Sequence, residues 1–100
     1  MVSIRIPIPI DEVEAFCRTH LVSRLSLFGS VLGDDFSEDS DVDVLVEFLP
    51  GHTPGLAFFA MQEELSRILK YPVDLHTPNF LSRYFREEVL AQAENLYVAA

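Results

Sequence analysis

Basic residues are scarce in this chain. Seven Lys and Arg stand against 16 Asp and Glu, a formal net charge of −9 over 100 residues. No Lys or Arg occurs between Arg24 and Arg67. Binding a nucleic-acid backbone depends on clustered Lys and Arg, so this balance argues against nucleic acid as the main ligand. An acidic chain suits divalent cations and a basic protein partner instead. Cysteine is nearly absent. The single Cys17 excludes an internal disulfide framework and fits a reducing cytosol; it reads as a small buried residue on a helix face. Long apolar runs are missing too, none approaching the roughly 20 residues that span a bilayer. The start, MVSIRIPIPIDEVE, lacks the basic region, apolar stretch and cleavage site of a signal peptide. A cytoplasmic chain without membrane association is expected. There is no repeat, low-complexity segment or linker.

At this length one domain with one modest core is expected, residues 1–100. The chain is 49% hydrophobic and 11% aromatic, which places it among globular rather than disordered sequences. Pro7 and Pro9 keep the N-terminus extended. Asp11 and Glu14 form a capping box ahead of a helical stripe of Val13, Phe16, Cys17 and Leu21. Ser23 to Phe28 reads as a strand, Ser30 to about Asp35 as a short helix, and Asp41 to Leu49 as a central strand ended by Pro50-Gly51. Thr53-Pro54 caps a helix running to about Leu69, with Leu56, Phe59, Ala60, Leu65, Ile68 and Leu69 inward. Val73 to His76 is a short strand. Thr77-Pro78 opens a last helix to about Asn95, with Phe80, Leu81, Tyr84, Phe85 and Leu90 on or near its buried stripe. Leu96 to Val98 adds an extended end. The order predicts an α+β fold, a small mixed β-sheet covered by helices.

Against that background the segment Leu27 to Phe48, LFGSVLGDDFSEDSDVDVLVEF, stands out. Asp is depleted in strands and an unpaired buried carboxylate is costly, yet Asp41 and Asp43 sit at alternate positions among valines. Side chains alternate across a strand. Asp41, Asp43, Leu45 and Glu47 therefore share one face, and Val42, Val44, Val46 and Phe48 form a continuous core face on the other. The two carboxylates lie about 7 Å apart along the strand, at about 3.3 Å per residue. One or two Mg²⁺ ions can sit between such carboxylates and a triphosphate, because Mg²⁺ favours oxygen ligands and takes few of them from protein. Gly29 permits a tight turn and close backbone approach. A helix starting at Ser30 would turn its free N–H groups toward a phosphate.

Phe28-Gly29-Ser30, ten residues, then Asp41-Val42-Asp43 resembles the nucleotidyltransferase motif of the DNA polymerase β superfamily. The chain is most similar to its minimal branch, the small nucleotidyltransferases (MNT) encoded beside HEPN-domain proteins, many of them antitoxins. Pro50-Gly51-His52-Thr53-Pro54-Gly55-Leu56, Val73-Asp74-Leu75 and Arg86-Glu87-Glu88-Val89-Leu90 extend the similarity over almost the whole chain from about Pro7. The resemblance implies a polymerase-β-like fold with Mg²⁺ as cofactor and ATP as substrate. It implies that Asp41 and Asp43 bind metal and triphosphate, that Ser30 and Gly29 touch the phosphates, and that Asp74 is a metal ligand near the attacking hydroxyl. From pattern alone Asp74 reads as part of a solvated edge strand; the resemblance reverses that. By the same resemblance, relatives usually carry Arg three residues after the Ser, or very near it. Here that position is Gly33, so Arg24, Arg67, Arg83, Arg86 or a partner would have to supply the cation. Glu47 reads as structural or peripheral, and Asp34, Asp35, Glu38 and Asp39 as a solvated loop. His76, beside a strand end, is either structural or in touch with nucleotide or metal, the first being the commoner case. His20 and His52 receive no role.

The leading expectation is transfer of AMP from ATP to a hydroxyl, by resemblance a tyrosine of a HEPN ribonuclease toxin, which would silence it. The alternative is a catalytically weak or inactive antitoxin that neutralises its partner by binding, for which Gly33 speaks. Nucleotidylation of a small molecule is a third possibility. The small core and aromatic-rich helices also make a homodimer or heteromer plausible.

Overall fold

The computed structural model describes residues 6–33, 36–37, 39–52, 54–78, 81 and 83–99. Strands form where valine-rich alternation meets turn residues. They are β1 (Val22–Phe28), β2 (Val42–Phe48), β3 (Val73–His76) and β4 (Glu94–Val98), interleaved with helices α1 (Ile10–Thr19), α2 (Ala57–Leu69) and α3 (Arg83–Gln92). The strands make one mixed sheet in the order β3-β2-β1-β4. β1 runs antiparallel to both β2 and β4, and β2 runs parallel to β3. A parallel pair needs a crossover connection, and α2 supplies it. Among the described residues no helix is long and apolar enough to cross a membrane.

Alternation on β2 divides the sheet as the sequence predicts. Val42, Val44 and Val46 are fully buried with Leu25 and Leu27 of β1, under Val13, Phe16 and Cys17 of α1 and Met61, Leu65 and Leu69 of α2. The opposite face is also covered in part. Leu45 and Phe28 bury against Leu81 and Val89 in a second, smaller cluster, so α3 lies over the face that carries Asp43. Ser26 on that face donates a 2.7 Å hydrogen bond to Asn95 Oδ1, tying β4 to β1 where the register slips.

Several boundaries differ from the sequence reading. α1 starts at Ile10 after Pro9 with no side-chain cap bond, so the Asp11–Glu14 capping box does not form; Glu14 instead pairs with Arg18 at 3.5 Å, one turn on. Leu21 is not on the stripe. It is exposed and left-handed at φ 56°, because the chain turns there into β1. Helix α2 begins at Ala57, not at Pro54, since Gly55 sits at φ +63° and Pro54, Gly55 and Leu56 form a turn of short-range bonds. The later start sets the phase on Met61, Leu65 and Leu69. Leu56 and Phe59, expected inward, are 86% and 66% exposed, and Ala60 is exposed with them. The last helix likewise starts at Arg83 rather than Pro78 and stops at Gln92, with Val89 buried and Leu90 turned out. The chain then enters β4, longer than the expected Leu96–Val98. Thr53 and Phe80, and the side chains of Tyr84 and Phe85, lie outside the described residues.

Candidate active site

β2 and β3 bring the acidic residues together. Their parallel register sets Asp43 beside Asp74 and Leu45 beside His76. Neighbouring strands are about 4.8 Å apart, and β3 is the sheet edge, so the pair opens to solvent on one side. His76 Nε2 lies 3.2 Å from Asp74 Oδ2 and 3.6 Å from Asp43 Oδ1. That nitrogen is buried, and among the described residues these two carboxylates are its only polar partners. The imidazole stands edge-on to Phe28, ring centroids 5.3 Å apart.

Burial raises the Asp43 pKa above the ordinary carboxylate range. The carboxylates of Asp74 and Asp41 push it the same way, while His76 pulls it down. Carboxylates crowded in this way, with burial opposing the charge, are relieved by a cation. Adjacent donors in an octahedral site with bonds of about 2.0–2.1 Å lie about 3 Å apart, and opposed ones about 4 Å. The ligand atoms of Asp43, Asp74 and His76 all fall within 4.8 Å of one another. The set therefore fits a divalent ion with small side-chain adjustments.

Gly29 completes the cradle. Its φ is +76°, and a Cβ built on it would collide with Asp43 Oδ2. Glycine is thus required there twice, by backbone conformation and by the nearness of the carboxylate. The chain passes from Gly29 into a four-residue 3₁₀ turn, Gly29–Leu32, rather than the expected helix to Asp35. So short a turn has no helix-terminus field to offer an anion. Ser30 is half-buried within it and its carbonyl accepts the Gly33 N–H at 2.9 Å. A hollow of about 480 Å³ lined by Gly29, Gly33, Gln92 and Glu94 opens beside the turn.

Other candidates are less concentrated. Asp41 sits one residue before β2 and is exposed; it is outside the close Asp43–Asp74–His76 group, though near enough for its charge to act on Asp43. Glu47 pairs with Arg24 at 3.6 Å, as a peripheral residue would. Of the cations considered for the phosphates, Arg24 is thereby engaged and Arg67 is exposed on α2. Arg86 is half-buried on α3, its Nη2 donating to Leu81 O at 3.4 Å, and its buried Nε has no acceptor among the described residues. The side chain of Arg83 lies outside the described residues, as do Asp34, Asp35 and Glu38. His76 is the site residue that sequence reasoning left to one side. Its signal was present, since it shares the Asp74 face by simple alternation.

Comparison with known proteins identifies the family of the chain. The family model "Nucleotidyltransferase domain" matches residues 10–95. A Methanocaldococcus jannaschii protein named as a protein adenylyltransferase is 35% identical over 74 residues, 74% of this chain and 78% of its own. The protein adenylyltransferase MntA of Thermococcus cleftensis is 30% identical over 92 residues, 83% and 91% of the two chains. A solved minimal nucleotidyltransferase superposes with a TM-score of 0.70 at 34% identity, covering 84% of this chain and 85% of that one. A toxin–antitoxin complex with AMP-PNP shares the fold at TM-score 0.73 and 20% identity, covering 92% of this chain and 75% of that one. The chain belongs to the nucleotidyltransferase domain family and is an enzyme of its minimal, polymerase-β-like type.

Proposed function

We propose that residues 1–100 act as one Mg²⁺-dependent nucleotidyltransferase domain in the cytoplasm, moving AMP from ATP onto a tyrosine hydroxyl of a HEPN-domain toxin and so serving as its antitoxin. The observation that carries the reading is the in-register Asp43–Asp74 pair with Gly29 packed against it. The adenylyltransferase names of the relatives support AMP as the transferred group. A structural neighbour from Shewanella oneidensis, a tri-AMPylated HEPN toxin in complex with an MNT antitoxin, supports the partner class; it superposes at TM-score 0.65 and 21% identity, covering 90% of this chain and 70% of that one.

In this reading Asp41, Asp43 and Asp74 hold the metal, and Gly29 and Ser30 contact the triphosphate. The bound ion would neutralise phosphate charge and acidify the acceptor hydroxyl. The acceptor oxygen bonds to the α-phosphorus as the bond to the β-phosphate bridging oxygen breaks, and pyrophosphate leaves. Asp74, the more exposed carboxylate at the sheet edge, takes the hydroxyl proton. Asp43, held between Gly29 and His76, keeps the metal side of the geometry fixed.

The test is intact-mass spectrometry of the partner toxin after incubation with this protein, ATP and Mg²⁺. Addition of one or more AMP units, lost in Asp41→Asn/Asp43→Asn, is the expected result. A second reading, a binding antitoxin of weak activity, is favoured by Gly33, where the family resemblance leads one to expect Arg. No mass gain together with a stable, silenced complex would establish it and overturn the first.

A further inference from the structure

We propose that His76 is a nitrogen ligand of the divalent cation held by Asp43 and Asp74, and that it shifts the site's preference from Mg²⁺ toward first-row transition ions. The inference rests on the reading of Asp43 and Asp74 as cation ligands.

Three observations carry it. Asp74 and His76 alternate on β3, so both project from the face on which Asp43 lies. Nε2 sits at 3.2 and 3.6 Å from the two carboxylates, the separation expected of donors around one small ion rather than of a donor in line with one acceptor. The same atom is buried, and among the described residues its only polar partners are those two carboxylates, so no third group competes for it. Phe28, edge-on at 5.3 Å, holds the ring so that this nitrogen faces the carboxylates. Its own place is fixed by the Leu45, Leu81 and Val89 cluster.

The chemical consequence follows from donor type. Mg²⁺ takes oxygen ligands and retains water. An imidazole nitrogen adds affinity for transition ions, rising from Mn²⁺ through Co²⁺ along the series. An imidazole added to the site's carboxylates therefore favours Mn²⁺ and Co²⁺, relative to Mg²⁺, over carboxylates alone.

Pulsed EPR of the full chain loaded with Mn²⁺ reads nitrogen ligation without any turnover. The expected result is a nitrogen hyperfine coupling in the wild type that disappears in His76→Gln while Mn²⁺ still binds. In calorimetric titrations the same substitution should lower Co²⁺ affinity roughly tenfold more than Mg²⁺ affinity. Mn²⁺ bound to the wild type without nitrogen coupling overturns the proposal and leaves Asp43 and Asp74 as ligands. So does a coupling that persists in His76→Gln, which would place the nitrogen at His20 or His52. Mn²⁺ that does not bind the wild type at all overturns the carboxylate reading and this proposal together. The wild-type spectrum decides even where the variant fails to fold.

Discussion

Replacing Gly29 by alanine should separate two roles of that residue, and Gly51 provides the control. Both glycines are left-handed, at φ +76° and +81°. Forcing an L side chain into that region costs about 1–2 kcal/mol. For a domain of this size that is about 4–8 °C of Tm per kcal/mol, and the loss should be similar at the two positions. Their surroundings differ. Among the described residues nothing lies within 4 Å of a Cβ on Gly51, whereas a Cβ on Gly29 runs into the Asp43 carboxylate. Asp43 can yield only by swinging its carboxylate away from the turn, which disturbs the group it forms with Asp74 and His76. A displacement of about 1 Å in a reacting geometry costs on the order of a hundredfold in rate. Thermal melts of Gly29→Ala and Gly51→Ala should therefore fall together, while divalent-ion affinity and AMP transfer collapse only in Gly29→Ala. If Gly29→Ala keeps wild-type cation affinity, or if the two variants lose activity equally, the close packing of Gly29 against Asp43 is not what organises the site.

Asp43→Asn should raise the Tm of the metal-free protein at pH 7, because the folded state disfavours the charged carboxyl. A raised folded pKa makes stability fall as pH rises from the ordinary Asp value through the folded one, so the variant's advantage should shrink to nothing as pH is lowered below about 4; a melt series across pH with chelator checks this. Gly33→Arg should raise AMP transfer at least about tenfold by returning a cation to the phosphates, with stability changed by less than about 0.5 kcal/mol. Gly33 has extended backbone at φ −117°, ψ −175°, and among the described residues a Cβ there meets only Ser30 O at 3.8 Å; steady-state kinetics and a melt test both halves. Cys17 is fully buried, and burial followed by the Glu14 charge pushes its thiol up to about 12. It should resist a thiol reagent at pH 8 in the native protein and react fully after unfolding.

Much of this architecture was legible because it rests on local rules. Alternation in Asp41 to Phe48 gives the β2 faces, and Val42, Val44 and Val46 are buried as it requires. The Pro72-Val73-Asp74-Leu75-His76 run gives β3 with its boundaries intact. Helix starts were the weak point. Thr-Pro in Thr53-Pro54 and Thr77-Pro78 is a real signal for helix entry, but it does not say how many residues of turn precede the first regular hydrogen bond. Gly55, the residue directly after Pro54 and left-handed, delays α2 to Ala57. The delay rotates Leu56 and Phe59 to solvent, and no periodicity count detects it, because Leu56, Phe59 and Ala60 are themselves apolar.

The site shows the same division between what the chain states locally and what only pairing decides. That Asp43 points to one face is a property of β2 alone. That Asp74 and His76 meet it there depends on a parallel register that pairs residues 31 positions apart, which period-2 patterns on two separate strands leave open: a shift of two residues would keep every side chain on its face and set Asp43 beside His76 instead. Asp41 illustrates the converse. The Asp-x-Asp spacing places it on the Asp43 face as though β2 extended to it, but the strand begins at Val42, and Asp41 stays exposed at the strand entrance with no neighbour on β3 opposite it in the register. Its position outside the close group leaves it accessible from solvent, where a bound nucleotide would approach. His76 occupies the position inside. The unequal environments of the three carboxylates, one raised by burial and two more exposed, follow from that register and from Gly29 rather than from the motif that named them.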